Sequence, residues 1–290
     1  MTHFAQLAQR IFNRPLAIRP ERAEIAVAAI GERLGIVSIK GAARRAGEWE
    51  EDERADDSPP GPGYTNLGGI AVIPVQGTLV SRLGGMKPTC GMTGYNQVRG
   101  NLMLALADPT VRAVAFDVDS PGGEVDGCFD LVDAIHAVRG QKPVWAICAD
   151  HAYSAAYAIA SAADRITVPR TGGTGSVGVI TMLVDMSASL KEAGLTVHFV
   201  THGARKAEEG RAQYQGVKPE LLARIQAEID AVGEIFVSTV ARNRGVSADA
   251  VRALQAACLM GGDGVAAGLA DDVMAPADAF AALLASLPAG

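Results

Sequence analysis

The sequence predicts an α/β protein built on parallel strands. The chain has 290 residues, of which 49% are hydrophobic and 20% are charged, a composition typical of folded globular proteins rather than of disordered or fibrous ones. From about residue 67 onward, short unbroken apolar runs alternate with segments of helical periodicity. Strands that are buried on both faces have such unbroken apolar runs, and helices that cover the sheet connect them.

Two segments precede this pattern. The run EIAVAAIGERLG has helical spacing and predicts a helical arm over residues 1–43. Between Glu48 and Asp57 seven of ten residues are acidic, and the proline- and glycine-rich run SPPGPG follows them. Because such a stretch buries too little apolar surface to offset its ordering entropy, residues 44–66 are predicted to form a linker.

The alternating region is predicted to form one domain over residues 67–275, with a C-terminal helix over 276–290. Its strands are expected at 70–75, 111–119, 143–150, 165–169, 177–183 and 195–200, with helices at 94–107, 126–139, 154–163 and 185–193. Two amphipathic stretches, Pro219 to Arg244 and 247–257, predict two further helices before the C-terminal one.

Charge and cysteine spacing exclude several classes of function. The net charge is −6 and no basic patch is visible, so no nucleic-acid partner is expected. The four cysteines are too widely spaced for a zinc or redox pair, and H-E-x-x-H is absent, so neither a metal nor a cofactor is expected. The longest apolar run near the N-terminus, Ile25 to Ile30, is too short for a secretory signal or a membrane helix. We therefore expect a cytoplasmic protein with no membrane partner.

The segment Asp119-Ser120-Pro121-Gly122-Gly123 follows an apolar strand and precedes a helix. Proline favours a turn, and paired glycines without a Cβ allow backbone N–H groups to approach a ligand closely. This motif predicts either a plain tight turn or a turn that contacts a ligand.

Ser154 lies at a second junction between a strand and a helix. A serine there exposes its hydroxyl at the carboxyl end of the sheet, where ligands bind in open α/β folds. The arrangement is similar in logic to a nucleophile elbow, although G-x-S-x-G is absent. The alternative is that Ser154 serves only as a helix N-cap.

A glycine-rich loop, TGGTGSVGV at 171–179, joins two predicted strands. It could cradle phosphates or shape a peptide groove, but the lysine that a Walker motif places after its glycine is missing. The nucleotide interpretation is therefore weak.

Taken together, these motifs resemble the signal peptide peptidase A family of Ser-Lys proteases. The resemblance depends on GGIAVIPVQGTLVSR, D-S-P-G-G, the Ser154 helix followed by SAADRI, G-S-V-G-V and GLADDV, in that order. The segment CGMTGYNQV is most similar to the head-maturation proteases of lambdoid phages. The resemblance implies the Clp-protease/crotonase-like superfold, which agrees with the predicted α/β alternation.

The resemblance also implies the roles of individual residues. Ser154 corresponds to the nucleophile, Lys206 to the general base, and Ser176 to a serine that hydrogen-bonds the lysine. Backbone N–H groups of Gly122 or Gly123 and of Ala155 would form the oxyanion hole. Protomers of this family form rings in which the serine and the lysine meet at the boundary between neighbours, so a homo-oligomeric ring is expected.

The chemistry is consistent with these residue types. A serine hydroxyl needs an adjacent base, and a lysine amine can serve only where desolvation lowers the pKa of lysine toward the working pH. Many relatives have Gly-Gly where this chain has Ala155-Ala156, which makes the pocket floor bulkier and favours smaller substrate side chains. The residues around Lys206 depart from the family pattern more than those around Ser154.

Three other residues are weaker candidates for the base. His198 and His202 are the only histidines downstream of the serine that a Clp-type Ser-His-Asp triad could use, and neither lies in a segment that resembles that family. Lys191, in SLKEAG, has the pattern of a solvated helix position.

Further polar residues close to the predicted strand ends have weaker claims. His151, three residues before the serine, could cap or line the site. Asp117, Asp119 and Asp150 are expected to cap loops rather than act as an acid/base pair.

The predicted function is a Ser-Lys endopeptidase that processes scaffold, capsid or portal proteins during phage head maturation, in the host cytoplasm and within the procapsid. The alternatives are a soluble bacterial protease related to signal peptide peptidase, a crotonase-like acyl-CoA enzyme, and an inactive structural ring.

Overall fold

The computed structural model describes residues 15–18, 62–85, 87, 91–203 and 205–288. Most of the predicted arm and linker lies outside these residues. Within the arm, Leu16–Ile18 form a strand rather than part of a helix.

The described residues form ten strands and nine helices. The strands are β1 Leu16–Ile18, β2 Thr65–Leu67, β3 Ile70–Val80, β4 Met92–Gly94, β5 Ala113–Glu124, β6 Val144–Tyr153, β7 Arg165–Val168, β8 Gly173–Gly175, β9 Cys258–Met260 and β10 Asp272–Val273. The helices are α1 Tyr95–Ala107, α2 Cys128–Ala137, α3 Ala155–Ser161, α4 Ser187–Glu192, α5 Glu208–Gln215, α6 Pro219–Arg244, α7 Ala248–Ala253, α8 Gly262–Ala266 and α9 Pro276–Ser286.

All ten strands belong to one sheet, whose main path has the order β10-β7-β6-β5-β3-β2. From β10 to β3 every neighbouring pair on this path is parallel, whereas β2 pairs antiparallel with β3. The other four strands, β1, β4, β8 and β9, lie off this path. Of these, β4 pairs with β3, β1 pairs with β5, and β8 pairs with both β6 and β9. The mixed α/β architecture, with a mostly parallel sheet flanked by helices, confirms the predicted fold class.

Helices cover the sheet on both faces. One face packs with α1, α2, α3 and the second half of α6 in a single large core, in which Phe116, Tyr157 and Phe236 are fully buried. On the other face, Ala279 and Leu283 of α9 pack in a smaller cluster with side chains of β3, β5 and β6. Burial on both faces accounts for the unbroken apolar character of the central strands.

Two predicted strands are wrong. Residues 195–200 are irregular and do not pair with another strand of the described chain, and Val200 is 99% exposed. In the predicted strand 177–183, only Ile180 makes a bridge, to Leu16. An apolar run forms a strand only where a neighbouring backbone edge can receive its hydrogen bonds.

The interpretation of Asp119-Ser120-Pro121-Gly122-Gly123 as a tight turn is also wrong. These residues continue β5 as far as Glu124. The register with β3 shifts between Gln76 and Thr78, so a bulge accommodates the motif within the strand. The glycine pair therefore lies within a paired strand at the carboxyl end of the sheet, with Gly122 at a positive φ of 105°.

No helix within the described ranges is long and apolar enough to span a bilayer.

Candidate active site

The candidate site lies where β5 and β6 separate at the carboxyl end of the sheet. The two strands are register partners as far as Ser120 and Ala152. Along its opposite edge, β6 pairs with β8 from His151 to Tyr153, and α3 begins two residues after Tyr153. Ser154 is the residue at this divergence.

The backbone of Ser154 has an unusual conformation, with φ of 55° and ψ of −122°. Its N–H donates to the Gly175 carbonyl oxygen at 2.8 Å, and its own carbonyl accepts the N–H of Ala158 at 2.9 Å. A positive φ in a residue with a Cβ is strained and persists only where the surrounding structure holds it. These two hydrogen bonds hold Ser154 between β8 and the first turn of α3.

The Ser154 hydroxyl does not act as a helix cap. Ser154 occupies the N-cap position of α3, but its side chain makes no capping hydrogen bond. Its Oγ is buried and has no hydrogen-bond partner among the described residues. The N-cap interpretation is therefore wrong. Leaving a buried hydroxyl unpaired costs about 1–3 kcal/mol, and this hydroxyl is available for chemistry.

Gly122 forms the wall beside this hydroxyl. Its φ is +105°, and a Cβ at this position would lie 2.9 Å from the Ser154 Cβ and would collide with the carbonyl oxygen of Ala17. Glycine is therefore required here both by conformation and by space.

The two candidate oxyanion donors on β5 differ in their hydrogen bonding. The N–H of Gly122 donates to the Ser120 Oγ at 3.1 Å, and this Oγ donates in turn to the Gly77 carbonyl at 2.6 Å. Gly123 pairs with Leu79 of β3 on one side and with Ala17 of β1 on the other. Of the two glycines, Gly123 is the better placed to donate toward the space beside Ser154.

Ala155 and Ser176 also lie at this site. Ala155 is the first residue of α3, and the N–H groups at the start of a helix have no partner within the helix itself. Ser176 follows Gly175, whose carbonyl binds the Ser154 N–H, and Ser176 likewise has a positive φ of 54°. The two serines thus lie at the ends of the paired strands β6 and β8.

Lys206 makes no hydrogen bond to Ser154 within the described residues. It is exposed in the turn that precedes α5. Lys191, His198 and His202 are exposed as well. Within the described residues of one chain, no basic side chain is hydrogen-bonded to the Ser154 hydroxyl.

His151 is the histidine nearest to Ser154 in sequence. Its Nε2 lies 3.5 Å from the Asp150 Oδ2, and its ring stacks on Tyr153 with the ring centroids 5.0 Å apart. Its Nδ1 is buried without a hydrogen-bond partner in the described chain. The ring is thus held at the surface of β6 by a carboxylate and an aromatic side chain.

Cys128 lies behind the site, with its Sγ 3.9 Å from the Ala155 carbonyl oxygen. Burial raises the pKa of its thiol to about 12. Because the thiolate is the nucleophilic form of cysteine, Cys128 does not compete with Ser154 for that role.

Sequence reasoning missed one component of the site, the strand β1. Leu16 exchanges two backbone hydrogen bonds with Ile180, at 2.7 and 2.9 Å, while Ala17 pairs with Gly123 on the opposite side. A three-residue strand has too few positions for a periodic signal, and nothing in the local sequence indicates which edges receive it.

Comparison with known proteins identifies related chains. Residues 136–287 match the model of peptidase family S49. The chain is 39% identical over 283 residues to the head-tail preconnector protein GP5 of Enterobacteria phage P21 and 35% identical over 297 residues to the capsid assembly protease C of Escherichia phage lambda. The alignments cover 95% and 100% of this chain, and 56% and 66% of the two relatives.

A more distant relative is the putative signal peptide peptidase SppA of Enterococcus faecium. It is 27% identical over 178 residues, which are 61% of this chain and 51% of the relative. The family match over 136–287 includes Ser154, Ser176 and Lys206, whereas Gly122 and Gly123 precede it.

Proposed function

The chain belongs to peptidase family S49, and from this premise we propose that it is a serine endopeptidase that cleaves scaffold, capsid or portal proteins during phage head maturation. Its nucleophile is Ser154 and its general base is Lys206. The enzyme acts in the host cytoplasm, within the assembling procapsid.

The observation that carries this proposal is the environment of the Ser154 hydroxyl. It is buried, it has no partner among the described residues, and it lies beside a glycine at which no Cβ fits. A serine hydroxyl with no structural hydrogen bond, next to backbone N–H donors, can act as a nucleophile once a base is placed beside it.

Cleavage follows from these groups together with a lysine from a neighbouring subunit. The Ser154 Oγ attacks the substrate carbonyl carbon while its proton passes to the neutral Lys206 amine. The N–H groups of Gly123 and Ala155 stabilise the negative oxygen of the tetrahedral intermediate. The C–N bond then breaks, the leaving amine takes the proton from Lys206, and water hydrolyses the ester with Lys206 again accepting and returning a proton.

The exposed position of Lys206 supports a site shared between subunits. In one chain the lysine is at the surface while the serine is buried at the sheet end. A homo-oligomeric ring would bring the lysine of one protomer to the serine of the next. Activity would then depend on assembly and on protein concentration.

The phage role is supported by the two phage relatives. Their identities of 39% and 35% exceed the 27% of the signal peptide peptidase relative. One of the two is named a capsid assembly protease. Membership of a peptidase family also favours peptide-bond cleavage over crotonase-like acyl-CoA chemistry.

The test combines active-site labelling with mass spectrometry. The wild-type protein, the variant Ser154→Ala and the control Ser238→Ala, at an exposed serine of α6, are each divided into two portions. One portion is treated with a fluorophosphonate, and the other, untreated, is incubated with the candidate head proteins. Labelling of Ser154 in the wild type and in the control, with cuts in the head proteins that Ser154→Ala does not make, is the expected result. Equal labelling and cutting by Ser154→Ala would overturn the proposal.

A further inference from the structure

A space one strand wide lies beside Ser154. The end of β5, Gly122–Glu124, has β3 on one side, but β6 does not cover its other side, because the last pair of β5 with β6 is Ser120 with Ala152 and β6 ends at Tyr153. The backbone at Ile180 forms the facing edge of this space. Two backbone edges with unpaired N–H and C=O groups are a template for an added strand.

The chain fills this space with its own N-terminal segment. In β1, Leu16, Ala17 and Ile18 pair antiparallel with Glu124, Gly123 and Gly122. On the other side, the Leu16 N–H donates to the Ile180 carbonyl at 2.7 Å and the Ile180 N–H donates to the Leu16 carbonyl at 2.9 Å. Leu16 and Ala17 are only 5% and 1% exposed.

The alternation of backbone groups determines which carbonyl faces the oxyanion donors. Successive residues of a strand direct their N–H and C=O groups to opposite sides. Because those of Leu16 are directed to Ile180, those of Ala17 are directed to Gly123. A Cβ on Gly122 would collide with the Ala17 carbonyl oxygen and would lie 2.9 Å from the Ser154 Cβ. The Ala17 carbonyl and Ser154 thus both border Gly122.

We propose that residues 15–18 are an internal pseudosubstrate, seated where an extended peptide substrate binds, with Ala17 in the place of the residue that precedes the cut bond. This inference rests on the proposed peptidase function and adds the binding mode and its regulation. Substrate peptides bind by β-augmentation between Gly123 and Ile180, and they enter only when the internal segment leaves.

The burial of Ala17 also defines a preference for small substrate residues. Its side chain belongs to the same buried cluster as Ala155 and Ala156. Filling a packed site with a larger side chain costs about 1–3 kcal/mol or more. Peptides with Ala, Gly or Ser before the cut bond therefore fit this position, and peptides with Leu or Phe there do not.

Peptide binding to catalytically inactive protein tests this proposal. All proteins carry Ser154→Ala, and the probe is a fluorescein-labelled peptide with the sequence of residues 12–21, FNRPLAIRPE. Ala17→Glu is added to expel the internal segment, because a carboxylate does not fit the buried position of Ala17. Leu16→Pro is the second variant, since it removes the N–H that donates to Ile180 without placing a charge in the core. Circular dichroism and thermal melting verify that each variant folds.

The matched control is Ala285→Glu, which adds the same charge at an exposed position of α9. By fluorescence anisotropy, the folded Ala17→Glu or Leu16→Pro variant should bind the peptide at least about tenfold more tightly than the Ser154→Ala parent, an effect of about 1.4 kcal/mol. The control should match the parent. A peptide with Phe in place of the alanine that corresponds to residue 17 should lose this gain.

The opposite results would overturn the pseudosubstrate. One such result is that the parent and a folded Ala17→Glu or Leu16→Pro variant bind the peptide with equal affinity. The other is that these variants bind the Ala and Phe peptides with equal affinity. Because no protein in this experiment has the nucleophile, its outcome is independent of catalysis. Failure of the proposed function appears separately, as an absence of Ser154-dependent cleavage by the wild-type chain.

Discussion

Gly122 lies directly against Ser154, since the position that a Cβ would take on the glycine is 2.9 Å from the Ser154 Cβ. The same position is blocked by the carbonyl oxygen of Ala17. One glycine thus forms the wall shared by the proposed nucleophile and by the strand in the groove beside it.

Gly122→Ala should therefore reduce peptide cleavage by at least about 100-fold, which is the scale of losing one oxyanion donor. The new methyl group would displace both the serine and the substrate carbonyl. Gly140→Ala is the matched control, because Gly140 also has a positive φ, of 84°, but has open space around its Cβ position. Steady-state kinetics of the two folded variants checks the prediction. Equal losses of cleavage activity in both would show that backbone strain alone causes the effect.

Ser154→Ala should abolish cleavage without a loss of stability, because its buried Oγ makes no hydrogen bond within the described chain. Ser161→Ala is the comparison variant, because the hydroxyl of Ser161 does make hydrogen bonds. The Ser161 Oγ donates to the Ala158 carbonyl at 2.6 Å and accepts from the Asn243 Nδ2 at 3.0 Å, so its removal should cost about 1–3 kcal/mol. Urea unfolding measures both effects. A large destabilisation by Ser154→Ala would mean that the hydroxyl has a structural role.

Lys206→Ala should abolish cleavage, whereas His202→Ala and the control Lys191→Ala should retain most of it. The wild-type rate should also rise with pH as the general base loses its proton. A pH–rate profile of each variant checks this. If His202→Ala is inactive and Lys206→Ala is active, a Ser-His triad would replace the Ser-Lys dyad.

Asp271→Asn should destabilise the fold near neutral pH. Burial by itself would raise the pKa of Asp271, but hydrogen bonds from Arg244 and from the Ile166 N–H outweigh burial and lower the pKa below its usual value. A carboxylate with a lowered folded-state pKa stabilises the protein above its unfolded pKa of about 3.9, and this contribution is lost as the pH falls through the folded-state pKa.

We expect Asp271→Asn to cost about 1–3 kcal/mol at about pH 7. The difference from the wild type should shrink as the pH falls below about 4. Thermal melting over this pH range measures it. A difference that is independent of pH would show that the charge of Asp271 contributes little.

The parallel core could be predicted from the sequence because its strands are unbroken apolar runs. The run from Ile70, for example, begins a strand at the predicted residue, and the amphipathic stretch from Pro219 to Arg244 is a helix with those bounds. Residues 195–200 have the same apolar character, yet they form no strand, because strand formation depends on a neighbouring edge that local composition does not reveal.

The site was accessible to sequence reasoning only in part. The position of Ser154 at a strand-to-helix junction could be predicted, but not its unpaired hydroxyl, which depends on what packs around it. The inclusion of Gly122 and Gly123 in a strand depends on pairing with β3 and β1, which are distant in sequence, so the motif by itself predicts a turn. Ala17 lies 137 residues before Ser154 in sequence, and only the fold brings it to the groove.

Subunit complementation tests the central claim, that Ser154 and Lys206 of different protomers form one active site. Inactive Ser154→Ala is mixed with inactive Lys206→Ala under conditions that allow subunits to exchange, and native mass spectrometry verifies that they assemble together. Our account predicts partial recovery of cleavage, because some boundaries then contain an intact serine and an intact lysine. Co-assembly without any recovery would contradict it.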